Sequence, residues 1–258
     1  MIEIKDVCKR FTKELRKGQG ADVMVALENV NLTVNDNEFV CIIGTSGCGK
    51  TTLLKIIDGL IKPDSGVVFI NGVEVKEPGP DRGFVFQDFA LMPWADIITN
   101  VAFGLELKGV PKNERLDIAA HWIKAVGLTG FERRHPHELS GGMQQRAGLA
   151  RALSVDPKIL LMDEPFGQVD AQTRQFLQED LLRLWQKDRK TVMFVTHSMD
   201  EAVFLADRVA IMRAKPGRVH EVVSIDLPRP RSEQEVRRSS VFTETASYIW
   251  ETIKQLSA

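Results

Sequence analysis

Phe39-Val40-Cys41-Ile42-Ile43, then GTSGCGKTT at residues 44–52, then Leu53-Leu54-Lys55-Ile56-Ile57 is the stretch whose reading decides the fold. An apolar run, a glycine-rich turn and an amphipathic segment read as strand, loop and helix, the context that a phosphate-binding loop requires. Gly44, Gly47 and Gly49 allow successive N–H groups to turn inward around phosphate oxygens. The helix that follows adds the positive end of its dipole. Lys50 can reach the β- and γ-phosphates, the Thr51 hydroxyl is placed to ligand a bridging Mg²⁺, and Thr52 can add a hydroxyl contact.

Working outward, the 258 residues are 43% hydrophobic and 27% charged, enough to bury a full core in one large domain or one with a subdomain. Thirty-four basic against 35 acidic residues leave a net charge of −1, which argues against broad electrostatic binding to nucleic acid. No apolar stretch reaches the ~18 residues needed to span a bilayer, and the N-terminal MIEIKDVCKRF lacks an apolar signal core. The expectation is a soluble, cytosolic chain. Cys8, Cys41 and Cys48 have no C-x-x-C spacing and read as reduced thiols. Because Cys48 lies inside the phosphate loop, a thiol reagent there would block nucleotide binding by bulk.

Upstream of the loop, Ile2 to Val7 and parts of Val23 to Val34 alternate apolar and polar, as in an antiparallel sheet with one solvated face. The charged segment TKELRKGQGAD at 12–22 between them reads as an exposed hairpin excursion. Phe11, at the end of the first strand, is either an ordinary apolar strand residue or a platform for an adenine ring.

Downstream, Val67 to Ile70 and Val73 to Val75 flank the hairpin signal Asn71-Gly72. Gly83-Phe84-Val85-Phe86-Gln87 reads as a short strand ending in an amide that can ligand a metal, hold a water or bond a loop. Residues 88–155 read as an inserted helical subdomain that interrupts the strand–helix alternation. Its opening loop carries Met92-Pro93-Trp94, which is either core or a docking surface. Within the insert, Leu139-Ser140-Gly141-Gly142-Met143-Gln144-Gln145-Arg146 opens a helix as a second anion-binding terminus. His135 and His137, flanking Pro136, read as loop residues rather than metal ligands.

Ile159-Leu160-Leu161-Met162 is a buried parallel-type strand that ends in Asp163-Glu164. Those acids either enter a solvated loop or serve chemistry: Asp163 holding Mg²⁺ through water, Glu164 polarising the attacking water as general base. TVMFVT at 191–196 is another buried strand, and the His197 after it reads as a γ-phosphate contact. A helix follows at 198–206, then a last strand, Arg208 to Arg213. Residues 228–258 form a charged, helix-compatible tail.

Together GTSGCGKT, Gln87, LSGGMQQR, ILLMDEP, Asp170 and His197 resemble the ATP-binding subunit of an ABC transporter. The wording between the motifs, GFVFQDFALMPWADIITNVAFGLELKG and MDEPFGQVDAQTR, is similar to the nitrate/sulfonate/taurine importer branch. The resemblance implies a single α/β domain of the ABC-type P-loop NTPase fold over residues 1–258. That fold is a mixed-sheet core with an N-terminal antiparallel β subdomain and an inserted α-helical subdomain. It implies an ATPase that uses ATP and Mg²⁺, with Gly44, Thr45, Ser46, Gly47, Cys48, Gly49, Lys50, Thr51 and Thr52 on the nucleotide and Phe11 stacked on adenine. Lys50, Glu164 and His197 would be catalytic, and Thr51, Gln87 and Asp163 would hold the metal. Ser140, Gly141, Gly142, Gln144 and Asp170 would contact ATP held by a second copy of the chain, or by a homologous ATPase subunit, in a head-to-tail dimer. Further partners implied are an integral-membrane permease, met through Gln87 and Met92-Pro93-Trp94, and indirectly an extracytoplasmic binding protein. This places the chain on the inner face of the cell membrane, driving import of a small anion; the competing reading is a soluble, non-transport ABC ATPase. Gly167-Gln168-Val169-Asp170 departs from the family pattern, where Ala or Ser and Leu are commoner at the middle positions. The excursion at 12–22 is also longer than usual.

Overall fold

Alternation of apolar residues sets the first sheet. The computed structural model describes residues 1–14 and 21–257; residues 15–20 of the expected excursion lie outside the described residues. The chain divides into two compact units, Met1–Gly79 with Thr191–Ala258, and Pro80–Lys190. In the first, β1 (Ile2–Glu14) pairs antiparallel with β2 (Ala21–Val34) from Ile2↔Val34 to Glu14↔Ala21, a hairpin as expected. Ile2, Ile4 and Val7 are buried on one face. The run Phe39–Gly44 forms β3, and Lys50–Asp58 forms α1. Beyond α1, β4 (Ser65–Ile70) pairs antiparallel with β1, and β5 (Val73–Glu74) closes the sheet in the order β2-β1-β4-β5.

The pairing of β3 decides where the chemistry sits. All six of its residues are buried, and it runs parallel to two strands from the C-terminal part of the chain, β8 (Thr191–Thr196) and β9 (Arg208–Arg213). Ile43 lies opposite Thr196, so the phosphate loop and His197 leave neighbouring strands at the same carboxyl edge. Ligand-binding groups collect at that edge in parallel sheets. Between β8 and β9 comes α6 (Met199–Leu205). A strand that the sequence reading lacks, β10 (Arg218–Ser224), pairs antiparallel with β9. The tail holds α7 (Glu233–Val236) and α8 (Ser240–Ser257).

In the second unit, β6 (Arg82–Val85) and β7 (Ile159–Asp163) are parallel, with Val85 opposite Met162. Gln87 therefore lies two residues beyond its strand rather than at its end, just before left-handed backbone at Phe89 and Ala90 turns the chain. Around this pair stand α2 (Ile97–Leu107), α3 (Lys112–Ala125), α4 (Gly141–Ser154) and α5 (Ala171–Lys187). His135 and His137 flank the start of and lie within a single 3-10 turn, their rings stacked at 5.7 Å. Asp96 caps α2 by accepting the Thr99 N–H. The fully buried Asn100 donates to the Met92, Ala95 and Asp96 carbonyls and accepts from Met92 N–H, fixing the loop before α2. That loop leaves Trp94 77% exposed.

Candidate functional site

In the first unit the loop after β3 is shaped by backbone that only glycine tolerates. Gly47 has φ +78° with open space where a side chain would stand. Gly49, at φ +92°, caps α1; a Cβ there would come within 2.6 Å of Leu27 and 2.8 Å of the Ala26 carbonyl oxygen. The loop thus wraps closely against β2 while its Gly47 side stays open. Lys50 opens α1, is 7% exposed, and its ammonium donates to the carbonyls of Gly44 at 2.9 Å and Thr45 at 3.3 Å. Thr51 and Thr52 follow in the first turn. Cys48 is buried beneath the loop with its sulfur 4.0 Å from the Lys50 ammonium. A thiol reagent would therefore have to open the loop before blocking it.

His197 is exposed, and the residues on either side of it hold its backbone. The Thr196 hydroxyl bonds the Glu201 carboxylate and accepts the Ser198 N–H at 3.0 Å, while Ser198 Oγ caps α6 by accepting the Glu201 N–H. Glu201 is 4% exposed. Sequence reasoning passed over it, although Ser198-x-x-Glu201 is the spacing of a capping box. Phe11 is 38% exposed in β1, pairs with Met24, and has the Lys9 ammonium 5.7 Å from its ring. With its cross-strand partner Met24, also exposed, it gives one face of that hairpin an apolar patch suited to a flat ring.

In the second unit the acids end β7 as expected. Asp163 is 5% exposed, and Glu164 is half-buried with φ +44°, a backbone conformation that costs a side-chain-bearing residue about 1–3 kcal/mol. A turn follows, closed by Gly167 N–H donating to the Glu164 carbonyl, and Arg174 of α5 donates to the carbonyls of Phe166 and Val169. Asp170 caps α5: its carboxylate accepts the Thr173 N–H at 3.0 Å, and hydrogen bonding to the Thr173 side chain, then to this N–H, holds its carboxyl below the usual range. Ser140 caps α4 by accepting the Met143 N–H at 3.4 Å, and Gln144 donates to the Leu139 carbonyl. A Cβ on Gly142 would stand 2.6 Å from the Thr173 methyl, so α4 can approach α5 closely only with glycine there. Gly141 precedes it in the first turn. Gln87 is exposed just beyond β6.

The structure thus collects Lys50, Thr51 and His197 at one strand edge of the first unit, and Gln87, Asp163 and Glu164 at one strand edge of the second. Thr51 in the first unit, and Gln87 and Asp163 in the second, each carry an oxygen donor, the kind of ligand that suits Mg²⁺. No group of three His, Cys, Asp or Glu among the described residues competes as a softer metal site.

A family model described as ABC transporter matches residues 27–167. An uncharacterized ABC transporter ATP-binding protein of Methanocaldococcus jannaschii is 60% identical over 211 residues, 82% of this chain and 79% of its own length. The aliphatic sulfonates import ATP-binding protein SsuB of Bacillus cereus is 44% identical over 92% of this chain and 93% of its own. The nitrate import ATP-binding protein NrtD of Synechocystis is 46% identical, covering 88% and 83%. Among solved structures, a dimeric ATP-binding cassette in a post-hydrolysis state bound to ADP and Pi has a TM-score of 0.77 at 34% identity, covering 88% of this chain and all of its own. With the phosphate loop, the strand-end acids and both helix-opening motifs in place, the chain belongs to the ABC transporter family as an ATP-binding, Mg²⁺-dependent ATPase cassette.

Proposed function

We propose that this cassette is the ATP-hydrolysing subunit of an importer for a small anionic solute such as nitrate, a sulfonate or taurine. The observation that carries the reading is the similarity, at 44–46% identity over about nine-tenths of the chain, to sulfonate and nitrate import subunits. The cassette would lie at the inner face of the membrane against a permease. In support, no described helix is long and apolar enough to cross a bilayer, and Trp94 stands exposed on a loop that Asn100 holds rigid.

The residues divide the work by their chemistry. Lys50 and the loop N–H groups of residues 44–52 hold the phosphates, and Phe11 stacks on the base. Thr51, Gln87 and Asp163 would hold Mg²⁺, which when bound would supply positive charge against the phosphates. Glu164 takes the proton from the attacking water, and its left-handed backbone fixes where the carboxylate points. His197 contacts the γ-phosphate from a turn braced by Thr196 and Glu201. Ser140, Gly141, Gly142, Gln144 and Asp170 serve the nucleotide of a second copy, so two chains close head to tail over two ATP molecules. Closure is favoured only as far as ATP binds the closed pair more tightly than the open one.

The test is Glu164→Gln. ATP binding should be retained, turnover lost, and a dimer trapped with ATP on a sizing column. Pull-down of the tagged variant from native membranes with ATP should then bring a multi-spanning membrane protein. Wild-type turnover would refute the general-base role, and recovery of soluble partners alone would refute the importer reading.

A further inference from the structure

The turn that carries Gln87 is under strain and is held from two sides. Phe89 and Ala90 are consecutive non-glycine residues with φ +57° and +48°. The Ala90 N–H donates to the Asp88 carbonyl at 2.5 Å, a bond that skips one residue and puts the left-handed Phe89 at the centre of the rarer hand of γ-turn. Such a conformation persists only where the surroundings over-determine it. One clamp comes from α4. Arg151 donates from Nη1 to the Ala90 carbonyl at 2.6 Å and from Nη2 to the Phe89 carbonyl at 2.8 Å. Its planar fork thus fixes two successive carbonyls. A Cβ on Gly148, one turn earlier in α4, would stand 3.6 Å from the same Phe89 oxygen, so the helix lies directly against the turn.

The second clamp is Gln168. Its amide Nε2 donates to Asp88 Oδ1 at 2.9 Å across eighty residues of chain. Gln168 belongs to the short segment before α5 that Arg174 holds by the Phe166 and Val169 carbonyls. Arg174 ties that segment to α5, so a displacement of the two together reaches Asp88, the neighbour of Gln87, through a single hydrogen bond. An alanine or serine at this position would have no group long enough to make the bond. We propose that Gln168 is a positioning residue: it couples the segment facing the second copy to the turn that carries the metal-ligating Gln87. This rests on the roles assigned to Gln87 and Asp170 in the proposed function.

A double-mutant cycle on the full chain tests it, using steady-state ATP hydrolysis with Mg²⁺ for wild type, Gln168→Ala, Asp88→Ala and the double variant. Removing one side-chain hydrogen bond from a positioned group lowers kcat about fivefold. Each single variant should show that drop with KM for ATP held within about twofold, and the double variant should be no slower than either single one. Asp88→Asn keeps an acceptor oxygen and should hydrolyse at the wild-type rate. Amide hydrogen exchange over residues 88–91 should quicken about fivefold in Gln168→Ala. Single losses that multiply in the double variant, or a Gln168→Ala protein with wild-type kcat and exchange, would overturn the proposal. Glu164→Gln run alongside separates the two readings. If it is inactive while the cycle shows no coupling, only the Gln168 link fails; if it turns over normally, the site assignment itself fails.

Discussion

Gly217 lies far along the chain from the phosphate loop, yet the loop depends on it. Its N–H donates to the Ala26 carbonyl at 3.2 Å, and its own carbonyl accepts the Glu28 N–H at 2.9 Å, so it bridges to β2. A Cβ there would stand 2.2 Å from the Cys48 carbonyl oxygen and 2.5 Å from that of Ala26. Ordinary non-bonded contact needs about 3.5 Å, so Gly217→Ala must push the Cys48 main chain by about 1 Å. Both neighbours are backbone, and no side-chain rotation relieves the clash. Overpacking of this kind costs about 1–3 kcal/mol, and losing one of the two bridging hydrogen bonds adds about 1 kcal/mol. For a chain of this size, a total of about 2–4 kcal/mol lowers Tm by roughly 5–12 °C. A shift of about 1 Å in the phosphate cradle weakens productive nucleotide placement by up to about a hundredfold.

The control is Gly72→Ala, at a hairpin tip with φ +77° and nothing within 4 Å of the new methyl. There only the backbone angle is penalised, by about 1 kcal/mol, and ATP affinity stays unchanged. Thermal unfolding of both variants with and without Mg-ATP, together with ATP titration, distinguishes them. A Gly217→Ala protein that binds ATP within twofold of wild type and melts no lower than Gly72→Ala would refute the steric reasoning.

Two more expectations concern the supports of site residues. Thr196→Val keeps the shape of β8 but removes the hydroxyl between Glu201 and Ser198; kcat should fall roughly tenfold with KM for ATP little changed, and Thr196→Ser should restore it, as steady-state kinetics would show. Asp170 carries a carboxyl lowered by its bond to Thr173, so its capping contribution is complete above the ordinary carboxylate pKa of about 4 and is lost as pH falls through the lower folded value. Asp170→Asn keeps a capping oxygen without the charge, so urea unfolding between about pH 2 and 5 should show a shallower fall in stability than wild type.

What the sequence made legible was continuous and local. Six consecutive residues are buried in β3 and again in β8, where only a threonine at each end interrupts the apolar run, and each strand leads into a residue whose chemistry announces a site, the glycine-rich loop after β3 and His197 after β8. The acids after β7 stand out for the same reason. Less legible was β10, whose Arg218-Val219-His220-Glu221 opening mixes polar and apolar residues. It pairs on one side only, in an order β10-β9-β3-β8 that no local pattern dictates. Arg229-Pro230-Arg231 looked like a break before the tail. In the fold Arg231 is 7% exposed and donates to the carbonyls of Val203, Phe204 and Ala206, satisfying the end of α6, while Arg229 pairs with Asp207. Burial lowers the Arg231 pKa to about 10. A cap supplied from some 25 residues downstream leaves no trace in spacing.

Backbone strain was hidden for a different reason. Nine described non-glycine residues have positive φ, and five are Asn or Asp, which tolerate the left-handed region in ordinary turns. Of the four others, Phe89, Ala90 and Glu164 sit beside or within the candidate site of the second unit. Glycine would relieve the cost at each, as it does at Gly47 and Gly49 of the phosphate loop. At Glu164 it would remove the carboxylate that the proposed general-base role requires. Phe89 is 7% exposed, and burying its ring offsets the strain by about 2 kcal/mol. Ala90 gains no comparable burial, and the Arg151 guanidinium on its carbonyl is what holds it. The phosphate loop takes its left-handed angles at glycines, where no side chain is strained, whereas the loops bearing Gln87 and Glu164 take theirs at residues with side chains, held by tertiary contacts. The first can therefore be read from composition, and the second only from the fold.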